Sequence, residues 1–149
     1  MRHWLMKTEP DAFGIDDLKA KGTAPWDGVR NYQARNHMRD MAVGDRILFY
    51  HSSANPSGVA GLAKVARLAY PDPSSWDPQS HYFDPAASPE NPRWSMVDVT
   101  YVRTLKNFLA LERLKAIPEL GGMILLQRSR LSVQPVEKEH YDLIAKLGG

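Results

Sequence analysis

The run Trp26-Asp27-Gly28-Val29-Arg30-Asn31-Tyr32-Gln33-Ala34-Arg35-Asn36 gathers the groups in this sequence best suited to holding a small flat ligand. A tryptophan stands on a tight turn, and arginine, asparagine and tyrosine follow at the mouth of a short helix. A flat aromatic beside fixed hydrogen-bond donors suits a pocket for one planar polar molecule, and a nucleobase is the obvious candidate. Stacking of a base on an aromatic side chain is worth about 1–3 kcal/mol. Trp26 reads either as that stacking wall, placed by its turn at a surface rim where truncation would spare the fold, or as a core tryptophan covering one end of the fold. Val29 and Tyr32 are candidate ligand contacts in the same run. Asn31 either caps the helix, reads a base edge, or does both through different atoms.

The cations near this run suggest a path for a nucleic-acid backbone. Arg30, Arg35, Arg39 and Arg46 fall within seventeen residues and are opposed by Asp40 and Asp45. Arg35 and Arg39 are one helical turn apart and share a face. Arg30, Arg35 and Arg39 are the candidate phosphate contacts; the alternative is a solvated face of surface ion pairs. Arginine supplies eleven of the nineteen cations, which suits stacking and forked contacts. A net charge of +2 and a pI of about 8.9 are too mild to imply nucleic-acid binding by themselves.

Enzyme chemistry finds little support. His51-Ser52-Ser53 invites a serine nucleophile with a histidine base, but neighbours on a strand point to opposite faces. No G-x-S-x-G elbow is present to expose a serine. His51 and Ser52 read better as hydrogen-bonding groups of a pocket wall. The histidines at positions 3, 37, 51, 81 and 140 have no metal-binding spacing. The absence of cysteine excludes disulfides, cysteine zinc sites and a thiol nucleophile. Gly58-Val59-Ala60-Gly61 does not open a strand-to-helix unit, so it is no dinucleotide fingerprint. The expectation is a non-enzyme with no metal and no cofactor.

The elements that must position these residues follow from pattern. Residues 2–7 read as a short strand with Trp4 and Met6 on one face, ended by Lys7-Thr8-Glu9-Pro10. Lys7, Thr8 and Glu9 are candidate contacts to a base edge or a phosphate. Glu9 has the alternative of bridging to an arginine. Asp16 to Lys21 is helical and stops at Gly22. Pro25-Trp26-Asp27-Gly28 is a turn. Asn31 starts a helix that runs to Arg39. Arg46 to His51 is a continuous apolar run, as expected of a strand buried on both faces, with Phe49 among the pocket candidates. Ser52 to Ser57 is a loop, and Val59 to Tyr70 the hairpin partner. Its small residues Ala60, Gly61, Ala63 and Ala66 leave room for another element.

Residues 71–93 hold six of the eleven prolines and form a long irregular loop. Such a loop is either functional or disordered. Trp76, Tyr82 and Phe83 favour function and are candidates for the pocket's second wall. Trp4 and Trp94, by contrast, sit at or in strands and read as core. A strand over Trp94–Leu105, a helix over Ala110–Ala116, a strand over Leu131–Gln134 and a helix from Glu137 complete the chain. That last helix carries His140, Leu143, Ile144 and Leu147 on one stripe. Strands and short helices without a βαβα rhythm predict a mixed β-barrel with flanking helices. The length of 149 residues, with 43% hydrophobic and 24% charged, predicts one domain, 1–149. The N-terminal apolar run is too short for a signal peptide, and no segment approaches a membrane span. The reading is a soluble cytoplasmic monomer with no membrane partner.

The sequence resembles the EVE domain proteins, a family of PUA-like fold that is similar to the YTH readers of methylated RNA. The resemblance covers nearly the whole chain. It rests on Lys7-Thr8-Glu9-Pro10, the Trp26-to-Asn36 run, Gly44-Asp45, Phe49-Tyr50-His51-Ser52, Tyr70-Pro71-Asp72, Phe83-Asp84-Pro85, Trp94 with Val97-Asp98-Val99, and Ser129-Arg130-Leu131-Ser132-Val133. It implies a PUA-like pseudobarrel. It also implies a pocket between the first strand's end, the Trp26 turn and the Phe49-to-Ser52 strand. The implied ligand is a modified base, such as methylated cytosine or adenine, flipped out of DNA or RNA. Some relatives carry fused nuclease modules; this chain, having no room for one, is expected to read and not to cut. The alternative is a binding protein for a free modified nucleobase, nucleoside or similar planar small molecule.

Overall fold

A computed structural model describes residues 1–127 and 130–149. The marker residue Ser129 lies outside the described residues. One six-stranded sheet organises the fold: β1 (His3–Thr8), β2 (Thr23–Pro25), β3 (Arg46–His51), β4 (Gly58–Pro71), β5 (Ser95–Ala110) and β6 (Val133–Val136), in the order β2-β5-β4-β3-β1-β6. β1 and β3 run parallel, and every other neighbouring pair is antiparallel. The sheet does not close, so it is a mixed sheet in pseudobarrel form. Its edge strands carry Pro25 and Pro135. Proline cannot donate to a ladder and is tolerated at an edge.

Both faces of the sheet are covered. Trp4, Met6, Ile47 and Phe49 point to one side, against Leu18 and Ile15 of α2 (Ile15–Lys21) and Ala34 and Met38 of α3 (Tyr32–Asp40). Leu5, Leu48 and Tyr50 alternate to the other side, against Leu114 of α4 (Leu111–Lys115) and Tyr141 and Ile144 of α5 (Lys138–Gly148). The apolar run at 46–51 is explained by this double burial.

A bulge on β4 sets the sheet's shape near the candidate pocket. Phe49 pairs with Gly61 and Tyr50 with Val59, which leaves Ala60 as the extra residue. A Cβ on Gly61 would lie 2.5 Å from Ile15 Cδ1, so the close approach expected at the small residues is made by α2. Ala60 and Ala63 are buried there, whereas Ala66 is exposed.

Several boundaries differ from the sequence expectation. One turn of helix, α1 (Pro10–Phe13), follows β1 at once, because proline suits the first helical position. β5 runs on to Ala110 and shortens the helix expected from there. β6 starts two residues later than expected, its edge position admitting Pro135. α3 starts as expected: Asn31 Oδ1 accepts from Ala34 N at 2.9 Å. Asn31→Ala is expected to cost about 1 kcal/mol by urea unfolding, the usual worth of a helix N-cap.

Asp45 ties the first strand to the turn before β3. Its carboxylate accepts from Arg2 N, Trp4 Nε1 and Ala42 N, each at 3.0 Å, and the residue is 3% exposed. Burial alone would raise its pKa, but these donors hold it below the ordinary carboxylate value. A depressed folded pKa stabilises the fold above the unfolded value of about 3.9, and that contribution is lost as pH falls through the folded value. Asp45→Asn is therefore expected to be less stable at pH 7 and to lose less on going to about pH 3 than the native chain. An unchanged acid slope in urea unfolding would contradict this.

Candidate functional site

The parallel register of β1 and β3 brings Lys7 beside Tyr50 and Thr8 beside His51 where both strands run out. Ser52 N donates to Thr8 O at 2.8 Å, which extends the ladder one step. α1 and α2 then fold back over this end. Thr8 Oγ1 donates to Phe13 O at 3.0 Å, and Ile15 N donates to His51 Nε2 at 3.1 Å. An accepting Nε2 places the proton of the neutral ring on Nδ1. Burial pushes the His51 pKa down, with Asp16 opposing, and so favours that neutral form. Burial also pushes the Lys7 ammonium down; its Nζ lies 5.9 Å from the centre of the Tyr50 ring. Glu9 is exposed and its backbone carbonyl accepts from the amides of Ala12 and Phe13 in α1.

Three aromatic rings gather beside these polar groups. Trp26 and Phe49 have centroids 5.4 Å apart with planes at 84°, and Phe13 stands at 89° to Trp26, 6.4 Å away. Trp26 is only 7% exposed. This corrects its expected place on a surface rim: the Trp26 backbone N–H donates to Val97 O at 2.8 Å, and that bond draws the turn against β5. Val29 is buried in the same cluster. Phe13 escaped the sequence reading, though Pro10 at a helix start was a usable signal. Phe108 escaped it too; it is exposed on β5 with its ring 6.2 Å from His51.

The long loop is clasped onto the Trp26 turn. Asp72 is fully buried, and its Oδ2 accepts from Gly28 N at 2.9 Å and Arg30 Nη1 at 3.1 Å. Its Oδ1 accepts from Ser74 N and Ser74 Oγ at 2.9 and 2.6 Å. Arg30 also donates through Nε to Tyr82 O, through Nη1 to Val29 O and through Nη2 to Ser74 Oγ. Four of its five N–H donors are thereby engaged within the protein. Tyr82 lies directly on Gly28: a Cβ there would be 2.6 Å from the tyrosine ring, and Gly28 has a φ of +80°. Of the candidates for a second wall, Tyr82 therefore reaches the Trp26 turn. Trp76 ends a short 3-10 turn, Pro73–Trp76, and among the described residues makes no ring contact with Trp26, Phe49 or Tyr82. Phe83 is exposed.

The other arginines gather around Trp94. Tyr32, 47% exposed, stacks on Trp94 with centroids 4.7 Å apart and planes at 21°. The Arg35 guanidinium lies 4.7 Å from the centre of the Tyr32 ring, and those of Arg30, Arg35 and Arg93 lie within 5.9 Å of Trp94. Arg35 Nη1 donates to Arg93 O at 2.7 Å; Arg39 donates to Ser95 Oγ at 3.0 Å and to Arg93 O at 3.4 Å. Arg35 and Arg39 do share a helix face, but that face is turned toward the 93–95 segment. Asp84 completes the cluster, accepting from Trp94 Nε1 at 2.7 Å and pairing with Arg93 at 3.3 Å. The Trp94 bond and the Ala86 amide hold the Asp84 carboxyl below its usual range.

The EVE domain family model matches residues 2–147. The chain belongs to the EVE domain family. It is 43% identical to human thymocyte nuclear protein 1 over 97% of this chain and 73% of that protein. Among solved structures, a hypothetical protein from Leishmania major superposes with a TM-score of 0.97 at 51% identity, covering 99% of this chain and 94% of that one. Human THYN1 protein in complex with 5-methylcytosine-containing DNA superposes with a TM-score of 0.94 at 42% identity, covering 99% and 98% of the two chains. The PUA-like EVE fold implied by the sequence motifs is thus the fold of the chain. Among the described residues, no three His, Asp or Glu side chains are grouped to hold a metal, and no helix is long and apolar enough to cross a membrane.

Proposed function

We propose that this chain is a DNA-binding module that recognises a modified base, with 5-methylcytosine the first candidate. One observation carries the reading: the likeness to the human protein solved with 5-methylcytosine-containing DNA, at 42% identity over 98% of that chain. The geometry at the end of β1 and β3 supplies chemistry that suits it. A base flipped from its strand meets polar groups of Lys7, Thr8, His51 and Ser52 along its edge. Its methyl group lies against Phe13 and the exposed edge of Trp26, which Phe49 backs from the core. Tyr82 and the Trp26 turn flank the entrance.

The module binds and does no chemistry in this reading. The lone pair of His51 Nε2 is already engaged by Ile15 N, so the imidazole is poorly placed to take a proton from Ser52.

Titrations of oligonucleotides that differ by one cytosine methyl test the proposal. One methyl in an apolar pocket is worth about 1–3 kcal/mol, so at least about fivefold tighter binding of the methylated strand is expected. Equal affinity for the two strands would sink the reading. A nucleoside that binds as tightly as the oligonucleotide, with no salt dependence, would turn it toward a metabolite-binding protein. Tighter binding of the matching ribo-oligonucleotide would move the partner from DNA to RNA.

A further inference from the structure

A groove of about 470 Å³ lies beside Trp94, between the C-terminal end of α3 and the stretch where β4 runs into the long loop. The base pocket makes no use of it. Its floor is apolar, with Met41 and Trp94 at 3% and 5% exposure, and Leu68 projects beside them at 55% exposure. One side is cationic, where Arg39 stands. Tyr70 lines the other side, and the Arg67 guanidinium lies 3.7 Å from the centre of its ring. The Tyr70 hydroxyl donates to Asp98 Oδ1 at 2.5 Å.

We propose that this groove is a second nucleic-acid subsite, taking the phosphate and base of a nucleotide that neighbours the one held in the pocket. The proposal rests on the modified-base reading and extends it along the strand. A guanidinium beside an apolar floor asks for an anion joined to a flat, weakly polar body, and a nucleotide of a single strand has that chemistry. A bare anion would leave Leu68 and Met41 unused, and an apolar peptide would bring no anion to Arg39.

Position supports the same occupant. Trp94 belongs to the groove and also carries the stacked Tyr32. The Arg30 guanidinium lies 5.5 Å from Trp94 and 5.8 Å from Tyr82. Tyr82 in turn rests on Gly28, two residues from Trp26. Rings and guanidinia thus form a continuous line from the Trp26 turn to the groove. A strand with one base in the pocket can follow that line.

Leu68→Asp tests the groove with little risk to the fold, since exposed substitutions usually change stability by no more than about 0.5 kcal/mol. Circular dichroism and a urea midpoint check that point. Single-stranded oligonucleotides with cytosine or 5-methylcytosine, and the free 5-methylcytosine deoxynucleoside, are titrated against native chain, Leu68→Asp and Arg39→Ala. Leu68→Asp is expected to weaken both oligonucleotides about tenfold and leave the nucleoside unchanged. Arg39→Ala is expected to flatten the slope of log K against log salt by about 0.7, one phosphate contact of a single strand.

Native affinity for the oligonucleotides in both variants overturns the groove proposal, even if the methyl is still discriminated. A native chain that binds both oligonucleotides equally, yet loses both in Leu68→Asp, overturns the pocket reading and upholds the groove as a nucleic-acid surface. A native chain that binds neither oligonucleotide overturns both proposals.

Discussion

Asp72→Ala is expected to destabilise this protein by about 3 kcal/mol or more, the cost of leaving one member of a buried pair without its partner. The Asp72 side chain is fully buried, and the Arg30 side chain that meets it is 23% exposed. The substitution removes the acceptor of Gly28 N, Arg30 Nη1, Ser74 N and Ser74 Oγ together. The Gly28 amide and the Arg30 fork then lose bonds that the loop cannot replace. Against a total stability of about 5–15 kcal/mol for an ordinary domain, that loss is severe. Urea unfolding measures it. A companion variant, Ser74→Ala, keeps the carboxylate, removes the hydroxyl that donates to it and accepts from Arg30 Nη2, and is expected to cost about 1–2 kcal/mol. A loss below about 1 kcal/mol for Asp72→Ala would show that the loop does not depend on this clasp. Where the variant still folds, Tyr82 is expected to leave Gly28, and oligonucleotide binding is expected to weaken with it.

That clasp also shows where the sequence was informative and where it was silent. The alternation of Trp4 and Met6 against Leu5, and the unbroken apolar run of β3, disclosed strands because side-chain direction has period two in any strand. Asn31 disclosed a helix start because its side chain bonds three residues onward. These are local rules. Arg30 and Asp72 are 42 residues apart, and no local pattern pairs them. The arginines were legible as a group, but their partners were not. A guanidinium that will bind a phosphate and one that will bind the carbonyls of a distant loop look alike in sequence. The prolines of 71–93 marked an irregular segment correctly, yet the acceptors that order it, Asp72 and Asp84, are ordinary loop residues by type. Phe13 became a neighbour of Trp26 and Phe49, and Phe108 of His51, only through the α1–α2 fold-back and the length of β5.

The same distinction reverses the outcome expected for Trp26. Turn chemistry alone puts this residue on a rim, where truncation to alanine would spare the fold. The structure packs it against Phe49 and Phe13 at 7% exposure. Trp26→Ala is therefore expected to cost about 3–5 kcal/mol, as for other buried tryptophans cut to alanine. Loss of binding in that variant would say little, since an unfolded chain binds nothing. Trp26→Phe separates the two roles. It keeps an aromatic ring against Phe49 and Phe13, so a smaller loss, about 1–3 kcal/mol, is expected by urea unfolding. Its ring is shorter than the indole and leaves a gap on the ligand side. If Trp26 forms the wall that contacts a methylated base, the folded Trp26→Phe chain should lose most of the preference for 5-methylcytosine over cytosine. Affinity for the unmodified oligonucleotide should change less than about threefold, because the arginine-lined surface is untouched. A folded Trp26→Phe chain that keeps the full methyl preference would assign Trp26 to the core alone and move the discriminating wall to Phe13, Phe49 or Tyr82.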